Sequence, residues 1–415
     1  MPADYVLPNS DSYILPGVID EHVHFRDPGL TEKGDIQSES NAAAAGGITT
    51  FFDMPNTKPQ TTTLSALSDK LALAKKKSLV NYAFFLGATN DNTAELQNVD
   101  ATAVPGIKLF MGASTGNMLV DDNDALHNIF ALAASRHLPL VTHCEDSALI
   151  ARNETKIKAT YGLTDDVSFH PIIRDEQACI NSTLKAIDMA EKHSAQLMVA
   201  HVSTAKELVE IAAHSDLVKA EACIAYLTFC DEDYASLGAR IKCNPAIKSQ
   251  TDLMALRHAL ANGQIYTIAT DHAPHLPEQK QGGVFEAASG MPSVQFSLTM
   301  MLQLTDEGWL SLPQVVQLMS HNPASFFGVE QRGFLRKGYK ADIVIVNHLS
   351  EPHTITDNDV LSKCGWTPYT GKSTQWQVDQ TICNGTTVYQ HDKGVNTLCH
   401  AAQQVTFSHD NRTQI

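Results

Sequence analysis

The chain has 415 residues, with 30 Lys+Arg against 46 Asp+Glu, so its formal charge is 30 − 46 = −16. That surplus excludes a surface built to coat nucleic acid, which needs clustered Lys and Arg. No stretch approaches the roughly 18 uninterrupted apolar residues of a spanning helix. The opening MPADYVLPNSDSYILPG has two Asp and no apolar core, which argues against a secretion signal. With 43% hydrophobic and 18% charged residues the chain is long enough to bury a large core without disulfides. Eight scattered cysteines without a CxxC pair read as reduced thiols, hence a cytoplasmic protein.

Two periodicities alternate in chain order. Short β-rich apolar runs fall at Tyr13–His24, Ile48–Pro55, Tyr82–Thr89, Gly106–Gly112, Leu138–Glu145, Ala195–Ser203, Leu217–Leu227 and Ile265–Pro274. Helical spacing fills Ile36–Ala45, Leu64–Lys77, Asn123–Ser135, Gln177–His193, Ala205–Ala213 and Asp252–Ala261. Eight strand–helix units predict an α/β fold, a (β/α)8 TIM-like barrel over residues 16–329 with a parallel sheet and right-handed crossovers. Past residue 330 the texture becomes strand–turn–strand. Residues 1–15 plus 330–415 are therefore expected to form a small, reduced β domain and tail, the polar stretch His400–Ile415 being loosely ordered.

The chemistry sits where the strands end. The first run closes on His22-Val23-His24, and residues two apart on a strand share a face, which suits a metal. The fourth carries Lys108, the fifth ends at His143, the sixth at His201 and the eighth at Asp271-His272. A parallel barrel builds its active site at this C-terminal face. Lys108 lies between apolar neighbours, where an ammonium is expensive and cannot ligate. It can lose its proton, find a partner, or react with CO2 to a carbamate whose two oxygens bridge two metal ions. With four His and one Asp around it, the carbamate fits a two-metal site.

The stretches GVIDEHVHFRDPG at 17–29 and GGITTFFDMPNTKP at 46–59 resemble the dihydroorotases of the amidohydrolase superfamily. So do GIKLFMG at 106–112, the His-bearing strands at 143 and 201, KCNP at 242–245, DHAPH at 271–275 and GYKADIVIV at 338–346. The resemblance covers residues 14–347. It implies reversible cyclisation of N-carbamoyl-L-aspartate to L-dihydroorotate in pyrimidine biosynthesis, through a hydroxide activated by two zinc ions. By position His22, His24 and Asp271 would hold one zinc and His143 and His201 the other. Lys108, as N6-carboxylysine, would bridge them. Asp271 would act as catalytic general base and then acid. Arg26 is expected to grip a substrate carboxylate bidentately, with Asn56, Asn244, His275 and the backbone of Gly290 as further substrate contacts. The loop Gly112–Met118 is expected to be a lid. The resemblance also implies a homodimer and, for some relatives, an aspartate transcarbamoylase partner.

Two features depart from the family pattern. Ile224 and Ala225 stand where relatives often carry His, and little β structure precedes the barrel. Two rival readings remain open. One is an allantoinase or hydantoinase type of cyclic amide hydrolase; the other is an inactive structural partner of aspartate transcarbamoylase, against which every metal-ligand position being filled counts.

Overall fold

Strands of this chain form from runs that bury both faces, as a parallel sheet sheathed by helices requires. The computed structural model describes residues 11–112 and 118–409. Its first ten strands are β1 (Ser12–Pro16), β2 (Val18–Val23), β3 (Ile48–Asp53), β4 (Asn81–Phe84), β5 (Leu86–Gly87), β6 (Ile107–Phe110), β7 (Leu140–His143), β8 (Leu197–Val199), β9 (Val218–Cys223) and β10 (Ile265–Ala269). From β2 onward neighbours pair in parallel, in the orders β2-β3-β4 and β5-β6-β7-β8-β9-β10. β4 and β5 are halves of one strand interrupted at Phe85, so the ring has the eight expected positions. It closes where Val23 bridges His272 and the His24 N–H donates to the His272 carbonyl at 2.7 Å. The fold is a TIM barrel.

Alternation along each strand divides the core in two. Ile19, Phe52, Phe85, Val141 and Met198 point inward and fill the barrel. Their neighbours Phe51, Phe84, Leu109, Leu140 and Leu197 point outward and pack under the helices. Helices at Ile36–Ala45, Leu64–Lys77, Asn123–Ser135 and Ala205–Ala213 have the expected bounds, and those at Glu176–His193 and Gln250–Asn262 run slightly longer. Asp35, Thr63, Asp122 and Thr204 cap four of them by accepting orphan N–H groups. Ser147–Tyr161 is a helix the periodicity missed, because it buries only Ile150 and Ile157.

Around the barrel's first strand the chain turns to a second layer. β1 pairs antiparallel with β11 (Ile343–Thr354), which continues through β12 (Ser373–Cys383), β13 (Thr386–Gln390) and β14 (Gly394–Val395). The expected Tyr13–His24 run is thus two strands, one in each layer, parted at Gly17. A Cβ there would lie 2.2 Å from Thr49 Oγ1, so the crossing needs glycine.

One expectation is corrected. The His400–Ile415 tail is not loose over its described part: Val405 and Phe407 are 0% and 1% exposed and join the inner core against Phe52 and Phe327. The two apolar residues sit two apart, the spacing of an extended segment with one buried face, and mean polarity concealed them. The lid expected at Gly112–Met118 falls largely on residues 113–117, outside the described residues. Among the described residues no helix is long and apolar enough to cross a membrane.

Candidate metal and active site

The barrel geometry brings every site residue named from the sequence to one cavity of about 570 Å³. Its wall includes His22, His24, Lys108, His143, His201 and Asp271 as well as Arg26, Asn56, Asn244, His275 and Gly290. The strand-end logic holds for the metal-type residues, with two local devices added. In β2, Asp20 pairs with Phe51 but Val23 with Asp53, three steps against two, a bulge that re-aims the strand's last residues. The Asp20 carboxylate then takes the backbone N–H of Thr270 at 3.1 Å and its hydroxyl at 2.6 Å, joining the two strands that carry His22 and Asp271. Arg26, His201 and Asp271 have φ of 67°, 41° and 47°. Non-glycine residues in this left-handed region store about 1–3 kcal/mol each, strain that clusters at functional sites. Arg26 reaches the cavity by this turn rather than by strand alternation, since β2 ends at Val23.

Buried partners fix how each ring is oriented. Glu221 Oε1 accepts the His201 backbone N–H at 3.0 Å and also contacts His22 Nδ1 at 2.7 Å, so His22 carries its proton on Nδ1. His24 Nδ1 donates to Asn56 Oδ1 at 2.7 Å, and His143 Nε2 to Glu145 Oε2 at 2.8 Å. Burial opposes ionisation of Glu145, but Arg174 in ion-pair contact and His143 outweigh it, and the carboxyl lies well below its usual range. The remaining nitrogens of His22, His24 and His143 therefore offer lone pairs inward, while no side chain fixes the His201 tautomer among the described residues. His22 Nε2 and His24 Nε2 lie 3.3 and 3.0 Å from Asp271 Oδ1, and His143 Nδ1 lies 2.9 Å from His201 Nε2. Burial pushes His22 and His201 well below the usual imidazole range, which keeps them unprotonated. Burial also disfavours ionised Asp271; what holds its carboxyl far below normal is positive charge at the positions of His22, His24 and His201, whether protons on the rings or a cation among them.

Acceptors converging without a proton between them repel one another unless a cation sits among them. The ligand atoms of His22, His24 and Asp271 lie within 4.8 Å of one another. Lys108 adds a second anomaly: it is fully buried, and its Nζ has no hydrogen-bond partner among the described residues. Burial lowers its pKa, against the opposing pull of Glu221 and Asp271. The donor set of His22, His24 and Asp271 thus fits a divalent metal.

Away from Asp271 the cavity wall carries more cations than acids, Glu154 being its one further carboxylate among the described residues. Arg26, Lys33, Lys58 and Lys242 line it, and among the described residues none has a carboxylate at ion-pair distance. Arg26 Nε donates to the Pro274 carbonyl at 3.1 Å, leaving the guanidinium end on the cavity. Asn244 Oδ1 is buried with no partner, an acceptor awaiting an N–H. Gly290 offers less backbone than expected: its N–H donates to the Lys242 carbonyl at 2.9 Å and its carbonyl accepts from Lys280 at 2.8 Å. Its φ is 140°, and a Cβ there would lie 2.7 Å from the Ala273 carbonyl, so it contributes by having no side chain. Lys280 also donates to the carbonyls of Lys242 and Ala288, clamping the two segments that form this wall.

Sequence reasoning missed Glu221, Glu145, Arg174, Lys33, Lys242 and Lys280. An acid inside the apolar run Val218–Cys223 was a signal for Glu221, its place two after His143 was one for Glu145, and the KCNP stretch was one for Lys242; Arg174, Lys33 and Lys280 had none. Ile224 and Ala225 are buried and do not line the cavity, whereas His170 does.

Comparison with known proteins agrees with this geometry. The amidohydrolase family profile matches residues 13–388. A dihydroorotase of Halobacterium salinarum is 34% identical over 392 residues, covering 94% of this chain and 89% of the relative. An allantoinase of Bacillus velezensis is 32% identical, covering 94% and 86%. The solved L-hydantoinase (dihydropyrimidinase) of Arthrobacter aurescens superposes with a TM-score of 0.90 at 29% identity, covering 95% and 89%. The chain belongs to the amidohydrolase family, as a hydrolase of cyclic amides.

Proposed function

We propose that this hydrolase is a dihydroorotase, opening L-dihydroorotate to N-carbamoyl-L-aspartate and closing it in reverse. The observation that carries the choice is the set of cations on the cavity wall that have no carboxylate partner among the described residues, Arg26, Lys33, Lys58 and Lys242. Hydantoin and allantoin are uncharged rings, and a buried guanidinium facing a neutral ligand remains unpaired at considerable cost. A ring carboxylate gives Arg26 a bidentate partner.

His22, His24 and Asp271 would hold one metal ion, zinc in this reading, and His143 and His201 a second, with carboxylated Lys108 between them. Bound there, the ions would supply a water of lowered pKa and a polarised ring carbonyl. The chain's own residues do the rest. Arg26 and the Asn56 amide NH2, its Oδ1 already engaged by His24, hold the carboxylate. Asn244 Oδ1 accepts a ring N–H. Asp271, ionised in the free enzyme, takes the proton of the attacking water and delivers it to the ring nitrogen as the C–N bond breaks. Every ligand position is filled, which weighs against an inactive structural role.

The test is turnover of L-dihydroorotate, allantoin and hydantoin by metal-loaded enzyme. Hydrolysis of the first, releasing N-carbamoyl-L-aspartate, supports the reading; turnover of either other ring with none of the first overturns it.

A further inference from the structure

Two cationic side chains from different turns converge on one imidazole. Lys33 Nζ lies 3.3 Å from His275 Nδ1, and Arg26 Nη2 lies 3.1 Å from His275 Nε2. Neutral imidazole has one N–H and one acceptor, so it cannot accept from both. A third contact sets two demands against each other at one nitrogen: His275 Nε2 also lies 3.1 Å from the Ser289 carbonyl, which only accepts, and Lys33, which only donates, settles the matter from Nδ1. The proton therefore belongs on Nε2, donated to Ser289, and Nδ1 accepts from Lys33. Arg26 is left facing an N–H and gains nothing from the ring, so its terminal donors stay available to the cavity.

We infer that Lys33 is a specificity-determining positioning residue: by holding His275 neutral with its proton on Nε2, it keeps the Arg26 guanidinium open for an anionic group of the substrate. The identity of that anion as a ring carboxylate rests on the function proposed above; the Lys33–His275–Arg26 arrangement does not. The other charged group close to the ring is Lys280, whose ammonium is taken up by three carbonyls, and no carboxylate pairs with the ring among the described residues. Burial, with Arg26 and Lys33, pushes the His275 imidazole down to about 2. The His275 backbone is fixed separately, its carbonyl accepting from Trp366 Nε1 at 2.7 Å, so Lys33 acts on the ring and not on the fold of the loop.

The experiment pairs nitrogen-15 histidine NMR with kinetics on metal-loaded enzyme. The His275 signal is identified by its loss in His275→Asn. In the wild type it is expected to stay neutral, with the proton on Nε2, from about pH 5 to 8. In Lys33→Met the Nε2 tautomer is expected to give way to a mixture. The KM for L-dihydroorotate is expected to rise about tenfold with kcat little changed, the worth of one charge-assisted hydrogen bond. Lys33→Arg is expected to restore both. An unaltered His275 signal in Lys33→Met overturns the inference, as does an equal KM defect in Lys33→Arg and Lys33→Met. If the wild type does not turn over L-dihydroorotate, the proposed function fails while the NMR result still decides the role of Lys33.

Discussion

His143 Nδ1 faces His201 Nε2 at 2.9 Å, inside a barrel that offers neither ring a better partner at those atoms. Without a metal, one proton must lie between them or sit unused on His201 Nδ1, which is buried with no partner. A divalent cation replacing that proton satisfies both rings and frees His201 Nδ1 to carry the hydrogen.

Glu145 sets this up by fixing the His143 tautomer. Glu145→Gln still bonds His143 but removes the charge that Arg174 and His143 share. Metal affinity is expected to fall about 10- to 100-fold, as when such supporting partners are lost elsewhere. Chelator competition measures it, and unchanged affinity would show that the tautomer needs no carboxylate.

Lys108 is expected to be essential as a carbamate and not as an amine. Lys108→Ala should lose metal and activity together, and short-chain carboxylic acids should restore part of both by placing a carboxylate in the vacated space. A fully loaded, active alanine variant would refute the bridging role.

His275 gives a pH dependence whose sign is fixed by its lowered pKa. Folded, it protonates at about 2, against an ordinary imidazole value of 6.5. Between these values the unfolded chain binds the extra proton, so the stability this neutral ring contributes is complete above 6.5 and is lost as pH falls toward 2. Relative to His275→Asn, the wild type is expected to lose up to about 1.4 kcal/mol per pH unit below 6.5. Urea titrations at pH 7 and pH 5 check it; a gap between the two proteins that does not change with pH contradicts it.

Phe407 plugs the inner core from the C-terminal tail, edge-on to Phe52 at 5.5 Å between ring centroids. Phe407→Ala is expected to cost about 3–5 kcal/mol of stability, the range for a buried aromatic. A cost typical of surface positions would mean that the tail does not hold the barrel.

These residues also show what the sequence makes legible. His22, His24, His143, His201 and Asp271 could be read because each follows an apolar run, and a parallel barrel converts strand ends into a shared site. Phe407 could not, because its run is two residues long. Nor could Arg174 or Lys280: their contacts with Glu145 and with the carbonyls of Lys242, Ala288 and Gly290 come from loops between strands, where no periodicity reports which way a side chain turns. Arg26 lines the cavity by a left-handed turn that follows the strand and does not extend it, so strand alternation is not what brings it there. The overall acidity of the chain pointed away from the local truth, a cavity whose wall carries more cations than acids.

The central claim is that this cavity selects a ring for its carboxylate. The direct measurement is kcat/KM for L-dihydroorotate against dihydrouracil, the same ring without the carboxylate, in wild type and Arg26→Met. The account predicts a preference of at least about 100-fold in the wild type, because a buried donor left unpaired rejects the analogue, and its collapse in the variant. Equal turnover of the two rings by the wild type, or a preference that survives loss of Arg26, would contradict it.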